Sequence, residues 1–246
     1  MKKAVSGIML TLLILTSTLT LSLSIKPVMA WTGGTIYIRP DGSIDPPTAP
    51  IITYDNVTYT LTGNITSSAD GIVVERDNII INGNGFTLQG SGEYPYNGID
   101  ISGRYNVTVK YFNIRKFYTG ILIDLGPNYP LNNVIIGNNI TENNLHGIRL
   151  TDAFNNTVSG NRIERNGWDG ISLGASQSNR IYGNIIIANG RDGIRLFYAS
   201  SNNTIFKNYI KDNGCGIHVE WISENNKIYN NNFINNSLQF YSGGPL

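Results

Sequence analysis

The chain has 246 residues, of which 14% are charged, and its formal net charge at neutral pH is +1. Its one cysteine, Cys215, excludes an intrachain disulfide and with it the class of small disulfide-stapled folds. Removal of residues 1–30 would take three lysines away, so that the 18 basic residues would fall to 15 against 17 acidic residues. This balance argues against nucleic acid as a partner.

Residues 1–30 have the parts of a secretory signal peptide. Lys2 and Lys3 precede an apolar run over residues 4–25, and the segment ends with Val28, Met29 and Ala30, a small-residue cleavage site. We therefore expect a secreted protein that is extracellular or at the cell surface. The length of the apolar run leaves an uncleaved membrane anchor as the alternative. After cleavage no stretch is apolar enough to span a membrane.

Residues 31–70 lack the period of the rest of the chain and are predicted to form an N-terminal cap. Residues 35–38 and 58–61 alternate like strands, and Pro46, Pro47 and Pro50 indicate an extended linker between them. A cap is expected here because the first coil of a stacked fold would otherwise present an open sheet edge.

Residues 71–246 are organised by a repeated Gly-Ile pair. Its steps along the chain are 27, 22, 27, 23, 23 and 23 residues, and the glycines are Gly71, Gly98, Gly120, Gly147, Gly170, Gly193 and Gly216. Periods of this size indicate a stacked architecture. Within one period the apolar residues alternate and no stretch has helical periodicity, so each coil is predicted to consist of strands and turns.

Two columns of aliphatic residues follow when the coils are aligned by period. They are predicted to form the core and consist of Ile72, Ile99, Ile121, Ile148, Ile171, Ile194 and Ile217, and of Val74, Ile101, Ile123, Leu150, Leu173, Leu196 and Val219.

Asparagines align in the same way into three ladders. The ladders are Asn133, Asn156, Asn179, Asn203 and Asn226; Asn138, Asn161, Asn184, Asn208 and Asn231; and Asn143, Asn166, Asn189, Asn213 and Asn236. We expect these asparagines to form the turns, because asparagine tolerates left-handed backbone. Their stacked amides are expected to hydrogen-bond from coil to coil.

The segments Gly-Ile-x-Leu and Asn-Asn-x-Ile-x-Gly-Asn-x-Ile resemble the repeat of right-handed parallel β-helix proteins. The resemblance covers about residues 70–240 and is to the branch of archaeal cell-surface repeat proteins and NosD-type periplasmic copper-accessory proteins; residues 35–47 resemble the lead-in of the archaeal branch. It implies an all-β, right-handed parallel β-helix of about seven coils with three short strands per coil. It implies little about activity, because the same fold carries lyases, hydrolases, epimerases, adhesins and stalks.

The C-terminal end of the repeats differs from that of the archaeal branch. Those proteins commonly continue into an aromatic region containing Trp-Asp and Tyr-Trp-Ser-Asp-Tyr, whereas this sequence stops at Leu246. The expectation is that the coils of residues 71–246 are uncapped or truncated at this end, or that a partner covers the C-terminal coil.

Alternation along the strands places a polar strip on the outer face of the helix. If Ile148 points inward, Arg149 points outward, and Arg195 and His218 take the same position in later coils. We select Arg149, Arg195, His218 and Trp221 as candidate carbohydrate-binding residues, because arginine pairs with carboxylates and aromatic rings lie against sugar faces. The alternative is an ordinary solvated sheet face.

Four of the acidic and imidazole side chains are weak candidates for acid and base catalysis. Asp169 and Asp192 lie one coil apart, near the spacing of a retaining glycosidase pair, and His218 with Glu220 is a second pairing. Both aspartates directly precede a repeat glycine, where turn chemistry is the alternative explanation. The sequence lacks the carboxylate cluster of polygalacturonases, the Asp-Pro-His-Asp of alginate epimerases and the calcium-ligand cluster of pectate lyases. No catalytic residue is therefore assigned.

No metal site and no cofactor are predicted, despite the resemblance to copper-accessory proteins. Cys215 and His218 are close in sequence, but His146 is the only other histidine and lies three coils earlier. Copper favours thiolate, thioether and imidazole together, and every methionine falls within residues 1–30.

Three hypotheses for function follow. The first is an exported, non-catalytic β-helix protein that contacts a polysaccharide or another component of the cell envelope along an outer sheet face. The second is a polysaccharide lyase or glycoside hydrolase that acts on the same face. The third is a purely structural surface stalk.

Overall fold

The computed structural model describes residues 30–126 and 128–243. Almost all of the predicted signal peptide lies outside the described residues. Within these ranges no helix is long and apolar enough to cross a membrane. The chain forms a right-handed parallel β-helix of about eight turns, which confirms the predicted fold class with three short strands per coil.

Sheet A has nine parallel strands. In spatial order they are Trp31–Gly33, Ile65–Ser67, Thr87–Gln89, Asn113–Arg115, Asn139–Thr141, Arg162–Glu164, Ile185–Ile187, Tyr209–Lys211 and Asn232–Ile234. Each strand pairs with the equivalent strand of the next coil, so the hydrogen bonds of the sheet run along the axis of the helix.

Sheet B contains the Gly-Ile repeat and has ten strands. Nine are parallel: Ile36–Ile38, Ile72–Val74, Asn97–Asp100, Thr119–Ile123, Ile148–Thr151, Ile171–Gly174, Asp192–Phe197, Cys215–Val219 and Leu238–Ser242. The tenth strand, Ile44–Asp45, pairs antiparallel with Ile36–Ile38 at the N-terminal edge.

Sheet C has nine strands. Eight are parallel: Thr58–Leu61, Ile80–Asn82, Thr108–Lys110, Val134–Ile136, Thr157–Ser159, Arg180–Tyr182, Thr204–Phe206 and Lys227–Tyr229. The ninth strand, Ile51–Ile52, pairs antiparallel with Thr58–Leu61.

Residues 31–70 contribute strands to all three sheets in front of the first Gly-Ile pair. The parallel strands Trp31–Gly33, Ile36–Ile38 and Thr58–Leu61 extend sheets A, B and C. The antiparallel strands Ile44–Asp45 and Ile51–Ile52 then lie over the N-terminal edges of sheets B and C. Those two edges are thereby paired.

The two predicted aliphatic columns are the inner face of sheet B. Their register is continuous from coil to coil, as in the alignment of Ile148 with Ile171 and Ile194. Every member of both columns is at most 3% exposed. The predicted direction of these side chains is confirmed. Such a column stabilises the fold because each new coil removes another aliphatic side chain from water.

The three predicted asparagine ladders are present and nearly all of their rungs are buried. At one rung, Nδ2 of Asn161 donates to Oδ1 of Asn184 at 3.0 Å, and Nδ2 of Asn184 donates to Oδ1 of Asn208 at 3.0 Å. The backbone N–H of Asn161 also donates to Oδ1 of Asn184 at 3.0 Å. Each rung therefore accepts hydrogen bonds from the coil before it and donates to the coil after it.

The left-handed backbone is not on the ladder asparagines, contrary to expectation. It falls on the residue immediately before each rung, such as Asn155, Arg165, Ala188 and Lys207, whose φ angles lie between 53° and 56°. The turn therefore does not need asparagine for its φ angle. The asparagine that follows is needed for its side-chain hydrogen bonds to neighbouring coils.

The last coil exposes much of its apolar surface. Ile234, Leu238, Phe240 and Tyr241 are between 36% and 54% exposed. The equivalents of Leu238 and Phe240 one coil earlier, Cys215 and Ile217, are at most 5% exposed because the last coil covers them. The expectation that a partner covers the C-terminal coil stays a prediction.

Candidate functional site

The repeat glycine lies where the chain enters sheet B, close to the backbone of the next coil. A Cβ atom at Gly170 would lie 2.7 Å from the carbonyl oxygen of Gly193, and one at Gly193 would lie 2.6 Å from that of Gly216. No larger side chain fits at such a close approach of two backbones. A Cβ at Gly193 would also lie 2.7 Å from Cγ2 of the core residue Ile210, so the glycine faces the core and the residue before it lies toward the outer surface of sheet B.

Four chemically reactive side chains occupy this position in successive coils. They are His146, Asp169, Asp192 and Cys215, and all are at most 6% exposed. Nδ1 of His146 lies 3.4 Å from Oδ2 of Asp169. The backbone N–H of Asp192 donates to Oδ1 of Asp169 at 3.3 Å. These four side chains therefore form a buried polar row at the N-terminal ends of successive strands of sheet B.

Burial disfavours charge on both His146 and Asp169. It lowers the pKa of His146 to about 3 and, assisted by the negative charge of Asp192, raises the pKa of Asp169 to about 6. The histidine is neutral at pH 7, so its 3.4 Å approach to the aspartate is not a salt bridge. Nδ1 of His146 and Oδ2 of Asp169 both lack a hydrogen-bond partner among the residues that the structure describes.

Asp169→Asn should stabilise the protein at pH 8 but not at pH 4. A carboxyl whose pKa is raised by folding binds its proton more tightly in the folded state, so its contribution to the free energy of unfolding falls as pH rises from about 4 to about 6. The amide avoids this loss and keeps the acceptor for the N–H of Asp192. We expect a gain of about 2 to 3 kcal/mol above pH 7.

Urea unfolding of the wild type and of Asp169→Asn at pH 4, 6 and 8 measures this difference. Taking the difference cancels the titration of groups that both proteins share. A constant difference across the three pH values would contradict the raised pKa of Asp169.

Asp192 and His218 form a polar contact on the outer face of sheet B. Oδ2 of Asp192 lies 2.9 Å from Nδ1 of His218, and the aspartate is nearly buried whereas the imidazole is about one-fifth exposed. The two residues are 26 positions apart in the sequence, and they meet because the strands Asp192–Phe197 and Cys215–Val219 are neighbours in sheet B. Such a contact fixes one tautomer of the imidazole, with the proton on Nδ1 and a free lone pair on Nε2.

Arg195 and Glu220 form an ion pair beside this contact. The guanidinium approaches Oε1 of Glu220 with two nitrogens, and the distance from Nε is 2.9 Å. The predicted strip is therefore less basic than its arginines suggest. Glu220 is engaged by Arg195, whereas Asp192 is the acidic partner of His218.

Arg149 lies two coils from Arg195 on the same column. Its Nε donates to Oγ1 of Thr151 at 3.2 Å, and it takes part in no ion pair within residues 30–126 and 128–243. Ser172 lies between the two arginines in the strand register. Although alternation predicts that Ser172 points outward, its side chain is only 1% exposed because the long neighbouring side chains cover it.

Aromatic side chains surround His218 on one side. A depression of about 370 Å³ is lined by Tyr198, His218, Glu220, Trp221, Ile222 and Tyr241. Tyr198 and Trp221 are 71% and 73% exposed, respectively. The ring of Tyr241 meets the imidazole of His218 edge to face, with the ring centres 5.0 Å apart. Exposed aromatic rings beside hydrogen-bonding groups are typical of surfaces that bind sugars.

A second depression of about 310 Å³ adjoins His218 on its other side. Its lining includes Arg191, Asp192, Cys215, His218 and Tyr241. The two depressions share His218 and Tyr241, so they form one continuous surface centred on the imidazole.

Arg191, Trp168 and Tyr241 belong to this surface but were not selected from the sequence. The guanidinium of Arg191 lies over the ring of Trp168, 5.4 Å from its centre. Tyr241 could have been found from the period, because it stands 23 positions after His218 and pairs with it in the sheet register. The sequence carried no comparable signal for Arg191.

A second outer surface on sheet C has an aromatic stack. The rings of Tyr182 and Phe206 are 4.9 Å apart and those of Phe206 and Tyr229 are 5.2 Å apart, and each pair is nearly parallel. Arg180 lies over two of these rings. Because the ring faces are used against one another, the stack stabilises the sheet.

Comparison with protein families gives one match over most of the chain. Residues 56–245 match the family described as "Periplasmic copper-binding protein (NosD)". Among curated protein sequences, none matches this chain.

Several solved structures share the fold. A variant of the periplasmic alginate epimerase AlgG is 20% identical and matches 86% of this chain and 55% of its own, with a TM-score of 0.58. The A-module of the Azotobacter vinelandii mannuronan C-5 epimerase AlgE4 is 16% identical in sequence, with a TM-score of 0.61. The match covers 75% of this chain and 57% of the AlgE4 module.

A third structure is the catalytic unit of an α-1,3-glucanase from Streptomyces thermodiastaticus, which is 18% identical in sequence and has a TM-score of 0.57. The match covers 82% of this chain and 41% of the glucanase chain. This chain spans about half of the length of these proteins. At such low identity, the likeness shows the fold alone.

The residues around His218 do not fit a copper ion. The thiol of Cys215 donates to the carbonyl oxygen of Ile217 at 3.2 Å, and burial raises its pKa to about 11, so it is not a thiolate. Nδ1 of His218 is engaged by Asp192. No group of three or more histidine, cysteine, aspartate or glutamate side chains is placed to hold a metal ion in the described ranges.

Proposed function

The chain belongs to the NosD family of β-helix proteins, and from this premise we propose that it is an exported protein that binds carbohydrate on the outer face of sheet B. The carbohydrate would be a polysaccharide or another component of the cell envelope. The family description gives a periplasmic location, and the features of residues 1–30 support export. An extracellular or cell-surface position is the finer alternative.

The observation that carries the proposal is the aromatic surface around His218. Trp221 and Tyr198 are exposed aromatic rings in the turns that follow the strands Cys215–Val219 and Asp192–Phe197, and the ring of Tyr198 meets that of Phe197 at a tilt with the centres 5.1 Å apart. His218 and Glu220 lie between them and offer hydrogen-bonding groups. A sugar ring presents an apolar face and a rim of hydroxyls, which matches this combination.

The shape of sheet B also supports a polymer as ligand. Successive strands of the sheet repeat every 4.8 Å or so, and the polar column extends from Arg149 through Arg195 to His218 across three coil steps. A chain laid along the axis would therefore meet similar groups at regular intervals. Proteins with the same fold are named for action on alginate and on α-1,3-glucan, which supports the same class of ligand.

Trp221→Ala should weaken polysaccharide binding by at least about tenfold, because an exposed aromatic ring at the centre of a binding surface commonly supplies that much affinity. Binding would be measured by calorimetry and by tryptophan fluorescence with polygalacturonate, alginate, hyaluronan and dextran. The melting temperature should not change, since the side chain is largely exposed.

Tyr54→Ala is the matched control, because Tyr54 is 95% exposed and lies near the N-terminal edge strands, many coils away from His218. It should bind as the wild type does. Arg149→Ala tests the polar column more cleanly than Arg195→Ala, which would leave Glu220 unpaired. Equal affinities of Trp221→Ala and wild type for every polymer that binds would refute the proposed face.

A further inference from the structure

We propose that the depression lined by Arg191, Asp192, His218 and Tyr241 holds a uronate residue of an acidic polysaccharide. His218 would remove the proton from C5 of this uronate, the carbon that carries the sugar's carboxylate. The inference rests on the proposed function, since the polymer must first bind on sheet B. It adds a substrate class, a reaction and a role for each residue to a surface for which the sequence left a lyase or hydrolase only as an alternative.

His218 is prepared to act as a base. The carboxylate of Asp192 lies 2.9 Å from Nδ1, so the proton sits on Nδ1 and Nε2 carries the free lone pair. This is the arrangement by which a buried aspartate orients a histidine base and stabilises the imidazolium that forms. The imidazole is partly exposed and lines both depressions, so Nε2 is the nitrogen that remains for a bound sugar.

Arg191 supplies the positive charge that deprotonation at such a carbon requires. Its side chain is 44% exposed, and its Nε is 4.0 Å from the carboxylate of Asp192, which leaves most of the guanidinium fork free. The guanidinium lies over the ring of Trp168, 5.4 Å from the ring centre. A substrate carboxylate paired with Arg191 would have its charge neutralised, and the enediolate formed on proton loss would be stabilised.

Tyr241 is placed to return a proton. It occupies the outward position one coil beyond His218, and its ring borders the same depression. In the balanced step Nε2 of His218 takes the proton from C5 and the C5 electrons form a C4–C5 double bond. The C4–O4 glycosidic bond then breaks, and the phenol of Tyr241 protonates the leaving O4. The products are an unsaturated uronate and a shortened polymer, and no further reactant is consumed.

The carboxylates favour this chemistry over hydrolysis by a carboxylate pair. Asp169 is fully buried, and its carboxyl accepts a hydrogen bond from the backbone of Asp192. Asp192 is engaged by His218, and Glu220 by Arg195. Each of these three carboxyl groups is therefore buried or paired, whereas hydrolysis requires two carboxyl groups that both reach the glycosidic bond.

The experiment incubates the full chain in heavy water with polygalacturonate, polymannuronate, polyguluronate and glucuronan. Bond cleavage is read as the ultraviolet absorbance of the new double bond, and return of a proton to C5 before cleavage is read as deuterium at C5 by mass spectrometry. His218→Gln should lower both signals by about 10²- to 10⁴-fold at polymer concentrations that saturate the variant. Arg191→Gln should also lose activity, and Arg180→Gln on sheet C is its matched control.

Asp192→Asn tests the role of Asp192 as a positioning residue. The amide still offers a hydrogen-bond acceptor but lacks the negative charge that stabilises the imidazolium. The rate constant kcat should therefore fall while KM stays unchanged. A residue that is only structural would lower the melting temperature without separating kcat from KM in this way.

The outcomes separate the two proposals. Activity on a uronate polymer that is lost in His218→Gln supports the inference. Binding of the polymers with neither deuterium uptake nor double-bond formation overturns it and leaves the proposed carbohydrate-binding function intact. Absence of binding to every polysaccharide overturns the proposed function and the inference together.

Discussion

Asn184→Ala should lower the free energy of unfolding by at least about 3 kcal/mol. The Asn184 side chain accepts from the backbone and the side chain of Asn161 and donates to the carbonyl of Val158 and to Oδ1 of Asn208, with all four distances between 2.9 and 3.0 Å. Alanine removes all four hydrogen bonds and leaves the backbone N–H of Asn161 without an acceptor in a place that water does not reach. Nδ2 of Asn161 keeps the carbonyls of Ile135 and Ser159, and Oδ1 of Asn208 keeps the backbone N–H of Asn184. Each lost hydrogen bond costs about 0.5 to 1.5 kcal/mol, and a buried group left unsatisfied costs about 1 to 3 kcal/mol.

Urea unfolding of Asn184→Ala and Asn232→Ala measures this effect against a matched control. Asn232 lies on sheet A in the last coil and its side chain is exposed. The same substitution there should change the free energy of unfolding by no more than about 0.5 kcal/mol. If the two variants were equally stable, the amide ladder would not be an important source of stability.

Ile171→Ala should cost about 2 to 5 kcal/mol, because it removes a fully buried side chain from the middle of the aliphatic column. The neighbouring coils present Ile148 and Ile194 at the same height, and neither can fill the cavity without moving its own strand. The expected readout is a lower urea midpoint with an unchanged dependence on urea concentration.

Ser172→Ala is the control in the next position of the same strand. Ser172 is also covered, but by the side chains of the outer face rather than by the core. Its substitution removes one oxygen and no apolar contact, so the cost should be within about 1 kcal/mol. Equal costs at residues 171 and 172 would contradict the inward and outward assignment on sheet B.

The architecture could be predicted from the sequence because the same pattern of apolar residues, asparagines and glycine recurs in every coil. The columns of Ile148, Ile171 and Ile194 and the ladder through Asn161 and Asn184 are confirmed because a fixed period brings equivalent residues together. A single period could not have decided between an irregular loop and a coil. Seven aligned copies leave few other arrangements.

The details of the turns could not be predicted from composition. Asparagine favours left-handed backbone, and this general preference suggested that the rungs themselves adopt it. The structure gives the left-handed angle to the residue before the rung, even where that residue is Arg165 or Ala188. Four side-chain hydrogen bonds from neighbouring coils outweigh the small cost of placing an ordinary residue in that conformation.

The contacts of the candidate site could be predicted only in part. Alternation placed Arg195 and His218 side by side, and the register bears this out. The pairing of His218 with Asp192 could not be predicted, because Gly193 and Ile194 both face the core and strict alternation does not hold at this point of the strand. Likewise, the length of the Arg195 side chain lets it reach Glu220, and periodicity alone does not carry that information.

The reciprocal form of the amide ladders has an evolutionary consequence. A rung such as Asn184 brings one acceptor for the coil before it and one donor for the coil after it, so a duplicated coil would supply as many hydrogen bonds as it needs. Unequal recombination between whole repeats of 23 residues can therefore lengthen or shorten the helix without leaving a buried polar group unmatched, whereas a partial repeat cannot. Lineages that descend from such a chain should differ in length by whole coils.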